Sequence, residues 1–353
     1  MIMSQSPSAM IWHCLASRRA AQCAVAGRCG RGGLIIPTRG WDFLGSAMAF
    51  SEELPLFRRV YRALVAVLQP GLVGLFVLAL PAHPSLAEEP SPLIEAAKRK
   101  INLAGRQRML SQRIAMQACF AQSGVLSEVS LTRGREAADL FDRTLDGLRL
   151  GDQGQGLAVE VDPEVLAGLN AVAALWQGYG ASVDGLFGSP NETALKQIHS
   201  HNGPVLVSMN KSVGVMERVY GEGLIAPEIA AALNVAGRQR MLVMKAVKEA
   251  CMITRGYAPE EDRKTLAKTI SLFESSLYKL RQGNEWDNII APPSFEIEMQ
   301  LDLVQMIWDW MSPRLKSLAD GEQMAPKEMV EMAYHAEVAL TEMNTAVWLY
   351  EAF

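Results

Sequence analysis

The strongest constraint on this chain is that its second half repeats its first. Ile101-Asn102-Leu103-Ala104-Gly105-Arg106-Gln107-Arg108-Met109-Leu110 recurs as Leu233-Asn234-Val235-Ala236-Gly237-Arg238-Gln239-Arg240-Met241-Leu242, an offset of 132 residues. The same offset pairs Cys119 with Cys251, Leu140-Phe141 with Leu272-Phe273, Gly151 with Gly283 and Trp176 with Trp308. Further along it becomes 134, pairing His201 with His335 and Met209-Asn210 with Met343-Asn344. A register held this long marks a tandem duplication, so both copies should adopt one fold.

Proline at first-turn positions and glycine just past the ends divide each copy into four helices. In copy one these run from about Pro92 to Ser123, from Glu128 to Leu150, from Pro163 to Gly188, and from Ser189-Pro190 to Gly221. In copy two, Pro227, Pro259 and Pro326 open helices 1, 2 and 4, Gly256 and Gly283 close the first two, and helix 3 follows Pro292-Pro293. Eighteen methionines and an aromatic share of 7% also suit helix packing better than strands. The expected fold is all-α: two tandem antiparallel four-helix bundles, residues 88–223 and 224–353. Four alternating helices return the chain to its starting end, and the Gly221–Pro227 link is too short to cross a bundle. Helix 1 of both copies should therefore point the same way and pack against its twin, a parallel pseudo-dimer within one chain.

Upstream, the apolar run from Leu64 to Leu80 follows Arg58, Arg59 and Arg62 and precedes Ser85-Leu86-Ala87, which reads as a signal peptide over 48–87 cleaved after Ala87. An uncleaved inner-membrane anchor is the alternative, weakened by Pro70, Gly71 and Gly74. Residues 1–47 read as an over-extended start. Export places the protein in the periplasm. Removing residues 1–87 takes away eight arginines and three acidic residues, turning the net charge of −4 into −9. Such a field argues against nucleic acid, and an anion ligand would need a local arginine site. No nucleophile motif, phosphate loop or metal-ligand spacing stands out, so neither enzyme chemistry nor a cofactor is expected.

The stretch Ile101 to Arg113, I-N-L-A-G-R-Q-R-M-L-S-Q-R, resembles the helix-1 signature of the PilJ/NarX-type sensor domain of type IV pilus chemotransducers and nitrate/nitrite-responsive kinases. In the nitrate-responsive members, the resemblance implies, one arginine per protomer grips an anion at the dimer interface; the matching residues are Arg108 and Arg240. A second basic position falls at Arg113 and Lys245, where lysine cannot reproduce a bidentate fork.

At about 100° per residue, Gly105, Arg108, Gln112, Ala115 and Cys119 share one face of helix 1, matched by Gly237, Arg240, Met244, Val247 and Cys251. Small residues allow close helix approach, and an arginine in such a seam needs a counter-charge. A planar oxyanion such as nitrate or nitrite can accept from two guanidinium forks. Arg113 lies roughly 140° around the helix from Arg108, so both are not expected on one anion. Arg106 and Arg238 share that other side and are expected to pair with acidic residues of neighbouring helices. Parallel packing makes Cys119 face Cys251, either as a disulfide or as buried thiols. Asn210 and Asn344 could approach the seam or cap local backbone. The expected function is an exported sensor-like protein that binds a small oxyanion and signals to a membrane receptor, kinase or transporter. Because the sequence stops after helix 4, it is expected to lack a transmitter of its own. The alternative is a structural adaptor of the cell envelope or type IV pilus system.

Overall fold

The computed structural model describes residues 91–221 and 224–353; the signal peptide and the start upstream of it lie outside the described residues. Among the described residues eight α-helices follow one another: α1 (Pro92–Gln122), α2 (Ser127–Leu150), α3 (Pro163–Gly188), α4 (Glu192–Gly221), α5 (Pro227–Arg255), α6 (Pro259–Gln282), α7 (Phe295–Ala319) and α8 (Pro326–Ala352). Among the described residues there is no β-strand, only isolated bridges between Asp152 and Leu157 and between Asn284 and Ile289. No described helix is long and apolar enough to cross a membrane.

Local chemistry sets the helix ends. Pro92, Pro163, Pro227, Pro259 and Pro326 sit in first turns, where a missing N–H costs nothing. Asp162 caps α3 by accepting from the backbone N–H groups of Glu164 and Val165 at 2.9 and 3.0 Å. Gly256 ends α5 with φ at +72°, a conformation with little steric cost only for glycine. Helix α4 starts two residues beyond Pro190 because Asn191 serves as its cap, accepting from the Ala194 N–H at 2.8 Å.

Within each copy the four helices pack as a ring, α1–α2–α3–α4 and α5–α6–α7–α8. The copies repeat even single side-chain contacts. Phe141 stacks on Trp176 at 4.1 Å and Phe273 on Trp308 at 3.8 Å, pairs worth about 0.5–1.5 kcal/mol beyond area burial. Gln107 donates to the Phe141 carbonyl and Gln239 to that of Phe273, at 2.6 and 3.4 Å. The most extensive helix pair of all is α1 with α5. Equivalent residues meet along it, so the two helices run parallel and in register, and the described chain belongs to one compact unit rather than two separable beads.

Candidate functional site

The α1–α5 seam is tightest at Gly105 and Gly237. A methyl group built on Gly105 would lie 3.9 Å from the Gly237 Cα, 3.3 Å from Arg108 Nη2 and 3.4 Å from Arg240 Nη2. Both guanidiniums therefore cross at the glycine pair, since only a missing Cβ leaves room for them. Arg108 and Arg240 are 2% and 1% exposed, and neither makes an ion pair with a described residue.

Each guanidinium reaches into the other copy. Arg108 Nη1 donates to Asn234 Oδ1 at 2.8 Å and to Asn210 Oδ1 at 3.4 Å, while Nη2 donates to the Asn234 carbonyl at 3.0 Å. Arg240 Nη1 donates to Asn344 Oδ1 and Nη2 to the Asn102 carbonyl, both at 3.2 Å. Negative charge stands one residue further out: Asn234 donates to Glu217 and Asn102 to Glu351. The arrangement is an Arg–Asn–Glu relay written twice across a pseudo-two-fold. It is incomplete, since the Nε of both arginines and Asn102 Oδ1 are buried without a hydrogen-bond partner.

The electrostatics follow from this arrangement. Burial pulls Arg108 and Arg240 down to about 9; neighbouring arginines add to the fall, and Glu217 and Glu351 oppose it. Burial also pushes the Glu217 carboxyl up, against the Asn234 hydrogen bond and the two nearest arginines. The seam thus holds two buried cations whose direct hydrogen-bond partners are neutral, with the carboxylates of Glu217 and Glu351 one residue further out.

Arg113 and Lys245 are not brought to this point. Arg113 forms a bidentate pair with Glu337 of α8, Nη2 to Oε2 at 2.7 Å and Nε to Oε1 at 3.2 Å, joined by Gln117 at 2.9 Å. Lys245 is held by Glu249 and by Thr269 at 2.7 Å. The expectation of acidic partners for Arg106 and Arg238 is corrected by the structure. Arg106 donates to Thr144 and Gln155 at 3.2 and 3.0 Å, and Arg238 to Ser276 at 3.5 Å, because hydroxyls of α2 and α6 occupy that side. Four turns beyond the glycines, Cys119 and Cys251 are joined as a disulfide with their Cα atoms 6.2 Å apart.

Asn102, Asn234, Glu217 and Glu351 were not singled out by sequence reasoning. The signal was present: the asparagines lie inside the repeated decapeptide, and the glutamates keep the 134-residue offset of the fourth helices.

A family model for the N-terminal region of type IV pili methyl-accepting chemotaxis transducers, PilJ, matches residues 94–200 and again 227–333, together more than half of the chain. The chain belongs to the PilJ family. Its two PilJ repeats each begin within the first helix of a bundle and so include one arginine of the seam. The methyl-accepting chemotaxis protein McpN of Pseudomonas aeruginosa is 33% identical over 131 residues, 36% of this chain and 23% of McpN. The match therefore spans less than a quarter of that relative's length. The family assignment gives the PilJ repeats a sensor character within chemotactic signalling.

Proposed function

We propose that this tandem PilJ protein is a periplasmic sensor that takes one small oxyanion of the nitrate/nitrite class between Arg108 and Arg240 and passes its occupancy to a membrane signalling partner. The observation that carries the reading is two almost fully buried guanidiniums, crossing at a glycine pair, with no carboxylate on either and an unpartnered Nε on each. A planar anion is the ligand that two planar forks can share, with about 1.5–3 kcal/mol from each charge-assisted hydrogen bond. The relationship to chemotaxis transducers supports the signalling half, and the apolar run of 64–80 supports export.

A second reading, an envelope or pilus adaptor without a small ligand, draws on the same contacts. The guanidiniums already hold the opposite helix through Asn234 and the Asn102 carbonyl, which is what a structural staple would do. Thermal unfolding separates the two readings. Nitrate or nitrite at millimolar concentration should raise the melting temperature of the wild-type protein and leave that of Arg108→Ala unchanged, because a ligand that binds only the native state stabilises it. Absence of a shift with every small oxyanion tried would leave the staple as the role of the seam.

A further inference from the structure

We propose that copy one carries a second anion site, separate from the seam, which takes a small oxyanion bearing two or more negative charges. A recess of about 540 Å³ lies between α1, α2 and the turn that follows α2, lined by Arg99, Arg106, Arg143, Asp152, Gly154 and Gln155 among others. Three guanidiniums line it against two carboxylates, Asp152 in the lining and Glu351 beside Arg99 and Arg106. Arg143 makes no ion pair with a described residue; its Nε donates to the Asp139 carbonyl at 3.3 Å. Arg106 is bound only to neutral oxygens, of Thr144 and Gln155, and its Nε is buried without a partner. Arg99 is half-exposed and stands 3.7 Å from Glu351. The one carboxylate lining the recess, that of Asp152, is engaged by the Gln155 side chain at 2.8 Å and its backbone N–H at 3.2 Å. Some other surface arginines sit on carboxylates, as Arg149 does on Asp146 at 3.1 Å and Arg281 on Asp302 at 2.6 Å, whereas Arg263 and Arg314 donate to the Leu318 and Trp310 carbonyls; the recess is set apart by three guanidiniums lining one cavity.

The duplication supplies an internal control. Copy two builds the same turn, a 3-10 segment capped by Asn284 where copy one has Asp152, closed by the same kind of bridge. At the equivalent positions it carries Ala231 for Arg99, Ser275 for Arg143 and Asp287 for Gln155, and Asp287 pairs with Lys279. The backbone of this turn therefore does not need the arginines. A monovalent anion would leave most of the charge of three guanidiniums uncompensated, whereas a multiply charged oxyanion, whether a small polycarboxylate or a phosphate compound, neutralises more of it while accepting from several forks.

The test is calorimetric and thermal titration of the purified protein at constant ionic strength, with citrate and pyrophosphate as probes. Arg99→Ala and Arg143→Ser reproduce the residues copy two already tolerates, and melting without ligand checks that each variant folds. At least one probe should bind saturably, each substitution should weaken it about tenfold or more, and Arg108→Ala should leave it unchanged. The preferred probe names the carboxylate or the phosphate source. The proposal is overturned if neither probe binds, or if the Arg99→Ala/Arg143→Ser double variant binds as the wild type does.

Discussion

Replacing Gly105 by alanine tests whether the seam is as tight as its geometry implies. Two opposed effects set the outcome. Alanine in a helix interior is favoured over glycine by about 1 kcal/mol. Against this, the new methyl would stand 3.3 Å from Arg108 Nη2 and 3.4 Å from Arg240 Nη2, tight for a carbon contact, so Arg108 above all must retreat by a few tenths of an ångström. Side-chain ends often yield easily, but these two are fixed: one donates to the Asn234 carbonyl at 3.0 Å and the other to the Asn102 carbonyl at 3.2 Å. Moving them stretches both bonds inside a closed interface, an overpacking cost of about 1–3 kcal/mol. The net change runs from about zero to 2 kcal/mol of destabilisation. Gly178, on the exposed side of α3, is the control: nothing lies within 4 Å of its added methyl, so Gly178→Ala should gain the full helix preference of about 1 kcal/mol. In a unit of this size about 1 kcal/mol corresponds to 2–4 °C. Thermal melts should therefore show Gly178→Ala rising by a few degrees and Gly105→Ala unchanged or falling. Equal stabilisation of the two variants would show that the guanidiniums are not held where their hydrogen bonds place them, and the argument for a built site would fail with it.

Other perturbations address the charges and the far end of the seam. Glu217→Gln keeps an acceptor for Asn234 while removing a carboxylate that opposes an anion, so if the seam takes nitrate as proposed, calorimetry should find it bound several-fold more tightly. Arg108 and Arg240 are depressed to about 9 by burial, so under the proposed function anion affinity should be flat from pH 6 to 8 and fall as pH passes about 9. Without anion, stability should rise with pH above that value, because the unfolded chain still holds protons that the folded one has released; saturating anion, which keeps those protons on, should flatten or reverse the slope. Reducing Cys119–Cys251 opens a loop spanning 132 residues, and unfolding in reductant should show a loss of about 2–5 kcal/mol, with a two-dalton gain in intact mass.

The element boundaries were legible because they are written in local chemistry. Pro163 behind Asp162, or Gly283 behind α6, acts within one turn, and the duplication states each boundary twice. The parallel α1–α5 pairing was legible too, since the short link after Gly221 and the small residues facing each other leave few alternatives. Partners were harder to read. The helical wheel puts Arg106 on the side where acidic residues of neighbouring helices are expected, yet its acceptors are Thr144 and Gln155, supplied by α2 and by the turn that follows it. Asn234 reaches Arg108 across the interface and Glu217 within α4. Periodicity assigns a residue to a face, but it does not say which rotamer spans to which neighbour.

The two copies differ in a way that bears on what the seam does. Gly105/Gly237, Arg108/Arg240, Asn102/Asn234, Asn210/Asn344, Glu217/Glu351 and Cys119/Cys251 are identical pairs, and all lie on or beside the pseudo-two-fold. On the outer faces of their third helices the copies diverge. The outward face of α7 carries exposed Phe295, Met299, Leu303 and Met306, where α3 has Pro163, Ala167, Ala171 and Ala174. A two-fold contact constrains both partners at once, since a change on one side alters a contact that the other side must still close. Outer faces carry no such reciprocity. Packing explains the shared glycines, and the disulfide explains the shared cysteines. Neither explains a buried cation at the same point on both sides, because a pair of apolar residues would close the seam without the desolvation penalty. Both arginines keep Asn rather than Glu in direct contact, which leaves two buried cations with no carboxylate hydrogen-bonded to them among the described residues, and this is the observation on which the proposed anion site rests.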